Sequence, residues 1–293
     1  MIYLISSIIL STLLGISFKV ISVKNINSFQ AIVVNYIVAG SLGFITTNSG
    51  VTPLNVCNYP FVYLAVALGF VFIASLFAIA ETTSKYGVSV AQVSNRMSLV
   101  VPITIAILFY GDGLTVFKII GIVLAISAVY LVLHKESEGK TSEKLWWLLP
   151  LIVFVCGGII DSSINYAQKM LVTDLTLDVF LSTVFASSFV IGTCILLYQL
   201  IAKGHKFEAS AIPAGILLGV INYGTMYLLG RVLASGVLEP SVLFPVNNLS
   251  VLLLSTIISV VVYHEKLSRK NWIGIGLSLL AIFILGLLPQ LLK

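Results

Sequence analysis

Apolar segments about 20 residues long follow one another along the whole chain, and only short polar stretches separate them. A helix needs about 20 mostly apolar residues to cross a bilayer. Charged residues make up only 9% of the chain, against about 25% in a soluble domain, and the mean hydropathy is +1.11. The pattern excludes a water-soluble fold and predicts an all-α membrane protein. Ten transmembrane helices are predicted, at residues 2–20, 28–46, 60–80, 87–109, 115–134, 145–168, 177–201, 211–230, 237–262 and 270–290.

The first apolar segment has no basic residue before it and no small-residue cleavage site after it. A removable signal peptide needs a positive region at its start, so this segment is predicted to be a transmembrane helix. We expect a multi-pass protein in the inner (plasma) membrane of a bacterial-type cell, with the lipid bilayer as its surroundings. The net charge of +5 is typical of basic residues at helix ends, so no nucleic-acid partner is inferred.

Two stretches of the chain resemble each other at a shift of 153 residues. The first is Tyr110-Gly-Asp-Gly-Leu-Thr followed by Gly121, and the second is Tyr263-His-Glu-Lys-Leu-Ser followed by Gly274. Five helices per half is an odd number, so the two copies are expected to have opposite orientations in the membrane. Inverted repeats around a site in the middle of the membrane are typical of secondary transporters. We predict a first five-helix repeat at residues 1–134, a connecting loop at 135–144 and a second repeat at 145–293.

Arg96 is the basic residue predicted to lie deepest, about 13 Å into the fourth segment. An ionisable side chain at such depth is costly and is therefore a functional candidate. Gln92 lies one turn away on the same helix face, and Asn95 precedes Arg96. A guanidinium binds carboxylate or phosphate oxygens with two parallel hydrogen bonds. The alternative is an internal ion pair, with Glu81 or Asp161, that only holds helices together.

Asp161 is the acidic candidate, and it lies some sixteen residues into the sixth segment. It forms one polar stripe with Ser162, Asn165 and Gln168. A carboxylate in an apolar environment is able to bind and release a proton during transport, so Asp161 is a proton-coupling candidate. In the alternative, this end of the helix already reaches the interface and Asp161 is simply hydrated.

Asparagines inside apolar segments complete the predicted substrate-binding residues. Asn247 and Asn248 follow Pro240 and Pro245, and such prolines free backbone carbonyls of the kind that line transporter sites. The amides are equally able to satisfy that broken backbone. Weaker candidates within apolar segments are Asn35, Asn222 and Tyr223.

Signatures of enzymes and of metal sites are absent from the sequence. No GxSxG, HExxH or P-loop pattern occurs, and the three cysteines form no CxxC or Cys/His cluster. We therefore expect neither enzymatic activity nor a metal or cofactor. The acidic turns at Asp112 and Glu265 are interpreted as helix-end architecture rather than as catalysis.

The two repeat ends resemble those of EamA-type members of the drug/metabolite transporter superfamily, with a turn similar to GE-x-L before a glycine-bearing helix. The resemblance covers essentially the whole chain. It implies ten helices in two inverted repeats and export of small metabolites, often amino acids, through a cavity lined by the third, fourth, eighth and ninth helices. It also implies that both termini lie in the cytoplasm. The basic residues argue the opposite, since eleven follow odd-numbered helices and only four lie on the other side.

The expected function is therefore secondary transport of a small metabolite, an amino acid or organic anion, by alternating access between two halves. No acidic residue occurs before Glu81, so the first helix lacks the buried carboxylate that exchanges protons for cationic drugs in the small multidrug branch. The alternatives are a carrier of sugar phosphates or nucleotide sugars and, from another class, an intramembrane lipid-modifying enzyme. The sequence leaves open the substrate, the coupling ion, the direction and whether the chain forms a homo-oligomer.

Overall fold

A computed structural model of the chain describes residues 2–47, 56–109, 113, 115–133, 147–172, 177–235 and 240–288. These residues are 87% helical and contain no strand. The helices are α1 (Ile2–Val23), α2 (Ser28–Thr46), α3 (Val62–Tyr86), α4 (Val88–Met97), α5 (Val100–Phe109), α6 (Val116–Leu133), α7 (Leu148–Met170), α8 (Leu177–Ala202), α9 (Ala211–Ala234), α10 (Pro240–Val261) and α11 (Arg269–Ile282).

The prediction of an all-α fold is confirmed, and the helices are compatible with a multi-span membrane protein. Nine helical spans among the described residues are long and apolar enough to cross a membrane, with α4 and α5 together forming one of them, and α6 contains a shorter apolar helix. Successive spans run in opposite directions. We call the side where α1 begins the first face, and the side where α1 ends the second face. The predicted connecting loop 135–144 and the repeat residues 110–112 and 114 lie outside the described residues, and the inverted repeat stays a prediction.

The fourth predicted span is divided into two helices, and Pro102 is the physical reason. Proline has no N–H to donate, and its ring collides with the carbonyl of the residue four positions earlier, here Ser98. The Ser98 carbonyl instead accepts from Val101 N at 2.9 Å, which is a tighter turn. The chain therefore leaves the α-helical path after Met97, one residue beyond Arg96.

Breaks in α10 were also expected, at Pro240 and Pro245, and there the structure differs. Pro240 begins the helix, where its missing N–H costs nothing, and Pro245 lies inside a helix that continues to Val261. The ring of Pro245 packs against Gly286, in the π-helical turn Phe283–Leu287 that follows α11.

The buried apolar side chains form two main cores. The larger core joins α1, α2, α3, α7, α8 and α9, and the smaller core joins α4, α6, α10 and α11 with the start of α5. Close contact between α2 and α9 is possible because Gly215 and Gly219 lack side chains. A Cβ at either position would lie within 3.0 Å of the α2 backbone carbonyls of Ala31 and Asn35, as expected for a GxxxG pair. We call the boundary between the two cores the seam.

Candidate functional site

Arg96 lies on the smaller-core side of the seam and bonds to α10. It is eight residues after Val88, about 12 Å along α4 from the second face. Its Nη1 donates to Asn248 Oδ1 at 2.8 Å. Its Nε is buried and has no hydrogen-bond partner among the described residues, and the same is true of Asn247 Oδ1. The arginine therefore has donor capacity that the described protein groups do not use.

Asp161 lies on α7, next to the break between α4 and α5. It is 13 residues after Leu148, about 20 Å along α7, and its side chain is exposed. The carboxylate accepts a long hydrogen bond from Ser98 Oγ at 3.4 Å. The aspartate is therefore exposed near the middle of the helix rather than at its end.

Arg96 and Asp161 attract each other electrostatically without touching. In the described part of the chain no ion pair within 4.0 Å joins them, and the nearest basic partner of Glu81 is Lys85 at 3.9 Å. Neither of the two ion-pair partners considered from the sequence thus contacts Arg96 directly. Asn248 takes that position instead.

A small cavity of about 40 Å³ lies beside Arg96. This volume has room for about one or two water molecules, so the site is nearly closed in this conformation. The side-chain oxygen Oε1 of Gln92 is buried and has no hydrogen-bond partner within the described chain. The side-chain nitrogen Nε2 of Gln92 lies so close to Gly15 that a side chain at position 15 would not fit. The cavity is lined by Ser11, Leu14, Gly15, Phe18, Leu76, Ile79, Gln92, Asn95 and Arg96.

Ser11 and Gly15 were not predicted as site residues. On a sequence they look like ordinary packing positions of α1, because small and hydroxyl residues are common where membrane helices touch. Only the approach of α1 to α4 brings them to Arg96. Gly15 therefore contributes to the site because its lack of a side chain leaves room for Gln92.

Asn35, Asn222 and Tyr223 lie elsewhere. Asn222 Nδ2 donates to Asn35 Oδ1 at 3.2 Å, between α9 and α2. The Tyr223 hydroxyl contacts that of Thr46. None of the hydrogen bonds of these three residues, as far as the structure describes the chain, reaches Arg96, Asn247 or Asn248. The structure thus brings Gln92, Asn95 and Arg96 together at the cavity and bonds Asn248 to Arg96, whereas the described hydrogen bonds of the other three candidates join α9 to α2. Asn247 precedes Asn248 on α10, and its side chain is buried.

The described residues contain no group of three or more His, Cys, Asp or Glu side chains that could hold a metal ion. Cys57, Cys156 and Cys194 are free thiols. Of the polar stripe predicted on α7, Ser162 donates to the Gly158 carbonyl at 2.6 Å, and the side chain of Gln168 lies outside the described residues.

Comparison with known proteins adds a relative and a fold. No family model matches the chain. A protein of known crystal structure aligns with 100% of this chain and 98% of its own at a TM-score of 0.57 and 16% identity, which is a likeness of fold alone. An uncharacterized protein of Haemophilus influenzae is 30% identical over 297 aligned residues, covering 98% of each sequence. The chain belongs to the same protein family as this Haemophilus influenzae protein.

Proposed function

We propose that the chain is a secondary transporter that moves a small anionic or zwitterionic metabolite, an amino acid or organic acid, across a bacterial-type inner membrane. The observation that carries the proposal is the unused donor capacity of Arg96 at a helix break within a span. Discontinuous helices near the middle of the membrane are where transporters bind their substrates. We further propose that the chain is an EamA-type member of the drug/metabolite transporter superfamily, that it works as an exporter and that it has no enzymatic activity.

The helix contacts support an arrangement of two related halves. In the two predicted halves, α1–α3 correspond to α7–α9, the fourth span corresponds to α10, and α6 corresponds to α11. With this correspondence, the helix contacts made by one half have counterparts in the other. Thus α1 packs on α9 as α7 packs on α3, and α1 packs on α10 as α7 packs on α4. Such exchange of partners is expected for inverted repeats, and in this proposal the bond from Arg96 to Asn248 joins the two halves.

Arg96 and Asp161 have complementary roles in this proposal. The guanidinium binds the carboxylate of the substrate, with Asn95, Asn247 and Asn248 as neighbouring amides. Asp161 is exposed at a depth where a bare carboxylate is stable only with water or a cation beside it. It is therefore the group that binds a proton, or the ammonium of a zwitterion, during the cycle.

A carrier of sugar phosphates or nucleotide sugars is the second candidate within transport. The same guanidinium would bind a phosphate, but such a ligand carries more negative charge than one arginine offsets. An intramembrane lipid-modifying enzyme would need several titratable groups at one depth, and among the described residues only Arg96 and Asp161 are charged at the depth of this site. Transport of an anion or zwitterion therefore stays the better proposal.

Thermal unfolding of the purified protein in detergent tests the proposal. The ligands are single amino acids, dicarboxylates, sugar phosphates and quaternary ammonium ions. A ligand at one hundred times its Kd stabilises the folded state by about 2.7 kcal/mol. We expect stabilisation by amino acids or organic acids, and Arg96→Gln should weaken their binding by about 1.5–3 kcal/mol because charged hydrogen bonds are lost.

The matched control is Arg231→Gln. Arg231 is an exposed arginine whose Nε and Nη2 donate to Tyr227 on the same helix at 3.0 and 2.7 Å. Its replacement should leave the ligand response unchanged. Stabilisation by sugar phosphates alone would favour the second candidate. Stabilisation by quaternary ammonium ions alone, or an undiminished response in Arg96→Gln, would reject the proposed site.

A further inference from the structure

In the described part of the chain, an ion pair crosses the seam at the second face. Lys19 Nζ, on α1 of the larger core, lies 3.7 Å from Glu265 Oε1, in the turn between α10 and α11. Their side chains are 21% and 9% exposed, so water screens the pair only partly. At the first face the seam is crossed differently, by a small apolar cluster of Leu4, Val232 and Leu243. The two faces are thus closed by different chemistry.

Glu265 is held in place by the start of α4. Its Oε1 accepts from Val88 N at 2.7 Å, and its Oε2 accepts from Ser89 Oγ at 3.4 Å. A carboxylate at this end of a helix is stabilised by the unpaired N–H groups and the helix dipole. Gly87 makes this approach possible, since its φ is +100° and a Cβ there would lie within 2.9 Å of the carboxylate.

The ion pair lies directly between the cavity and the second face. Lys19 is one turn beyond Gly15 on α1, and Ser89 is about one turn from Gln92 on α4. About 6 Å of helix therefore separates the Gly15–Gln92 contact from the ion pair. Ser89 and Ser259 join α4 to α10 by a hydroxyl contact of 2.7 Å, so Glu265 and α4 belong to one packed unit and Lys19 to the other.

We propose that Lys19 and Glu265 form the gate that closes the substrate pathway at the second face. The moving units are the two packed cores, not the two sequence halves, and the gate opens when α1 withdraws Lys19 while Glu265 stays on α4. This inference rests on the proposed transport function. An ion pair suits a gate because water is able to hydrate both charges when the gate opens. The hydrogen bonds from the start of α4 keep the Glu265 carboxylate in position, so that Lys19 is able to bind it again when the gate closes.

The test measures how fast a cysteine in the cavity reacts from each face. Cys57, Cys156 and Cys194 are replaced by serine, and Ser11→Cys is introduced, since Ser11 is buried and lines the cavity. A membrane-impermeant methanethiosulfonate reagent is applied to vesicles of both orientations. Glu265→Gln should raise the rate from the second face about tenfold. A tenfold loss in the equilibrium constant for closing raises a minor open population about tenfold, and the reaction rate follows that population. The rate from the first face should stay unchanged.

Lys19→Gln is the second variant, and it leaves the cap on α4 intact. It should raise the same rate by a smaller factor, and it tests the gate even where Glu265→Gln fails to fold. Glu208→Gln is the matched control, because Glu208 Oε2 also accepts from the start of a helix, Asn27 N at 2.9 Å, at the same face. That contact joins α2 to the turn before α9, both in the larger core, so its loss should not open the seam.

Unchanged reactivity in both Lys19→Gln and Glu265→Gln, or an equal rise in Glu208→Gln, would overturn the gate. The reagent requires no substrate, so this result is independent of what is transported. Failure of the proposed function would appear instead as a normal gate response in a protein that no tested metabolite stabilises.

Discussion

The larger core and the seam are built from different chemistry. Aromatic rings fill the larger core, where Phe185 packs on Tyr36 at 6.2 Å and edge-on against Phe72 at 5.9 Å between ring centroids. The Tyr36 hydroxyl donates to the Phe72 carbonyl at 2.6 Å. Such packing is dense and has no charge to satisfy, so it resists rearrangement.

The seam, in contrast, is lined by charged side chains whose partners are polar groups. Arg96 reaches Asn248, Asp161 reaches Ser98, and Lys19 reaches Glu265. Each contact can be exchanged for water or a ligand without opening an apolar core. The larger core therefore fixes the shape of the molecule, whereas the seam is the part able to change partners.

The largest expected effect tests the rigidity of the larger core. Tyr36 is fully buried, and truncation of a buried aromatic residue costs about 3–5 kcal/mol. We expect Tyr36→Ala to lower the free energy of unfolding by this amount in a denaturant titration of the detergent-solubilised protein. Tyr63→Ala is the control, since Tyr63 is 86% exposed. Equal losses in both variants would show that the core is not packed as described.

A pair of asparagine variants separates binding from stability. Asn248→Leu removes the acceptor of Arg96, and we expect it to weaken ligand binding by about 1.5–3 kcal/mol, as for hydrogen bonds to charged groups. Asn222→Leu removes the bond to Asn35 and should lower the unfolding free energy by about 1 kcal/mol while ligand affinity stays the same. Thermal unfolding with and without ligand measures both quantities. A comparable loss of affinity in Asn222→Leu would extend the pathway to α9, as the sequence predicted.

The smallest effect is expected at an ion pair away from the seam. Lys85 and Glu81 lie one turn apart on α3, 3.9 Å from each other, with side chains 45% and 30% exposed. Such a pair contributes about 0.3–0.5 kcal/mol. Lys85→Gln should therefore leave both the unfolding free energy and the reactivity of a cysteine at position 11 nearly unchanged. A rise in that reactivity as large as in Lys19→Gln would remove the distinction between the seam and the surface.

Hydropathy predicted the spans well, because membrane insertion is decided within each apolar segment. Depth also identified Arg96 and Asp161 as candidates without any knowledge of neighbours. The break after Met97 has a signal in the sequence, Pro102, whereas the breaks predicted from the sequence were those at the prolines of α10. Pro240 begins α10, where a helix tolerates proline, and Pro245 lies inside a helix that nevertheless continues to Val261.

Contacts between segments that are distant in the chain could not be predicted from the sequence. Asn248 was a candidate in its own right, yet nothing marks it as the partner of an arginine 152 residues away. Glu265 was interpreted as helix-end architecture, and it does cap a helix, but the helix is α4, 177 residues from it. Choice of partner depends on how helices pack, and single-sequence patterns contain no information about that.

The bond between Arg96 and Asn248 has a consequence for biosynthesis. The fourth span is polar for a membrane helix, because α4 contains Gln92, Asn95 and Arg96 in ten residues, and arginine alone disfavours insertion by about 2.5–3.5 kcal/mol. Its partner is translated 152 residues later. At about 5–20 residues per second the ribosome needs about 8–30 seconds to reach it. During that interval α4 is held only by neighbours that are already translated, namely α1, α3 and later α6 and α7. Slow translation of the second half therefore prolongs the period in which Arg96 lacks its partner in the membrane.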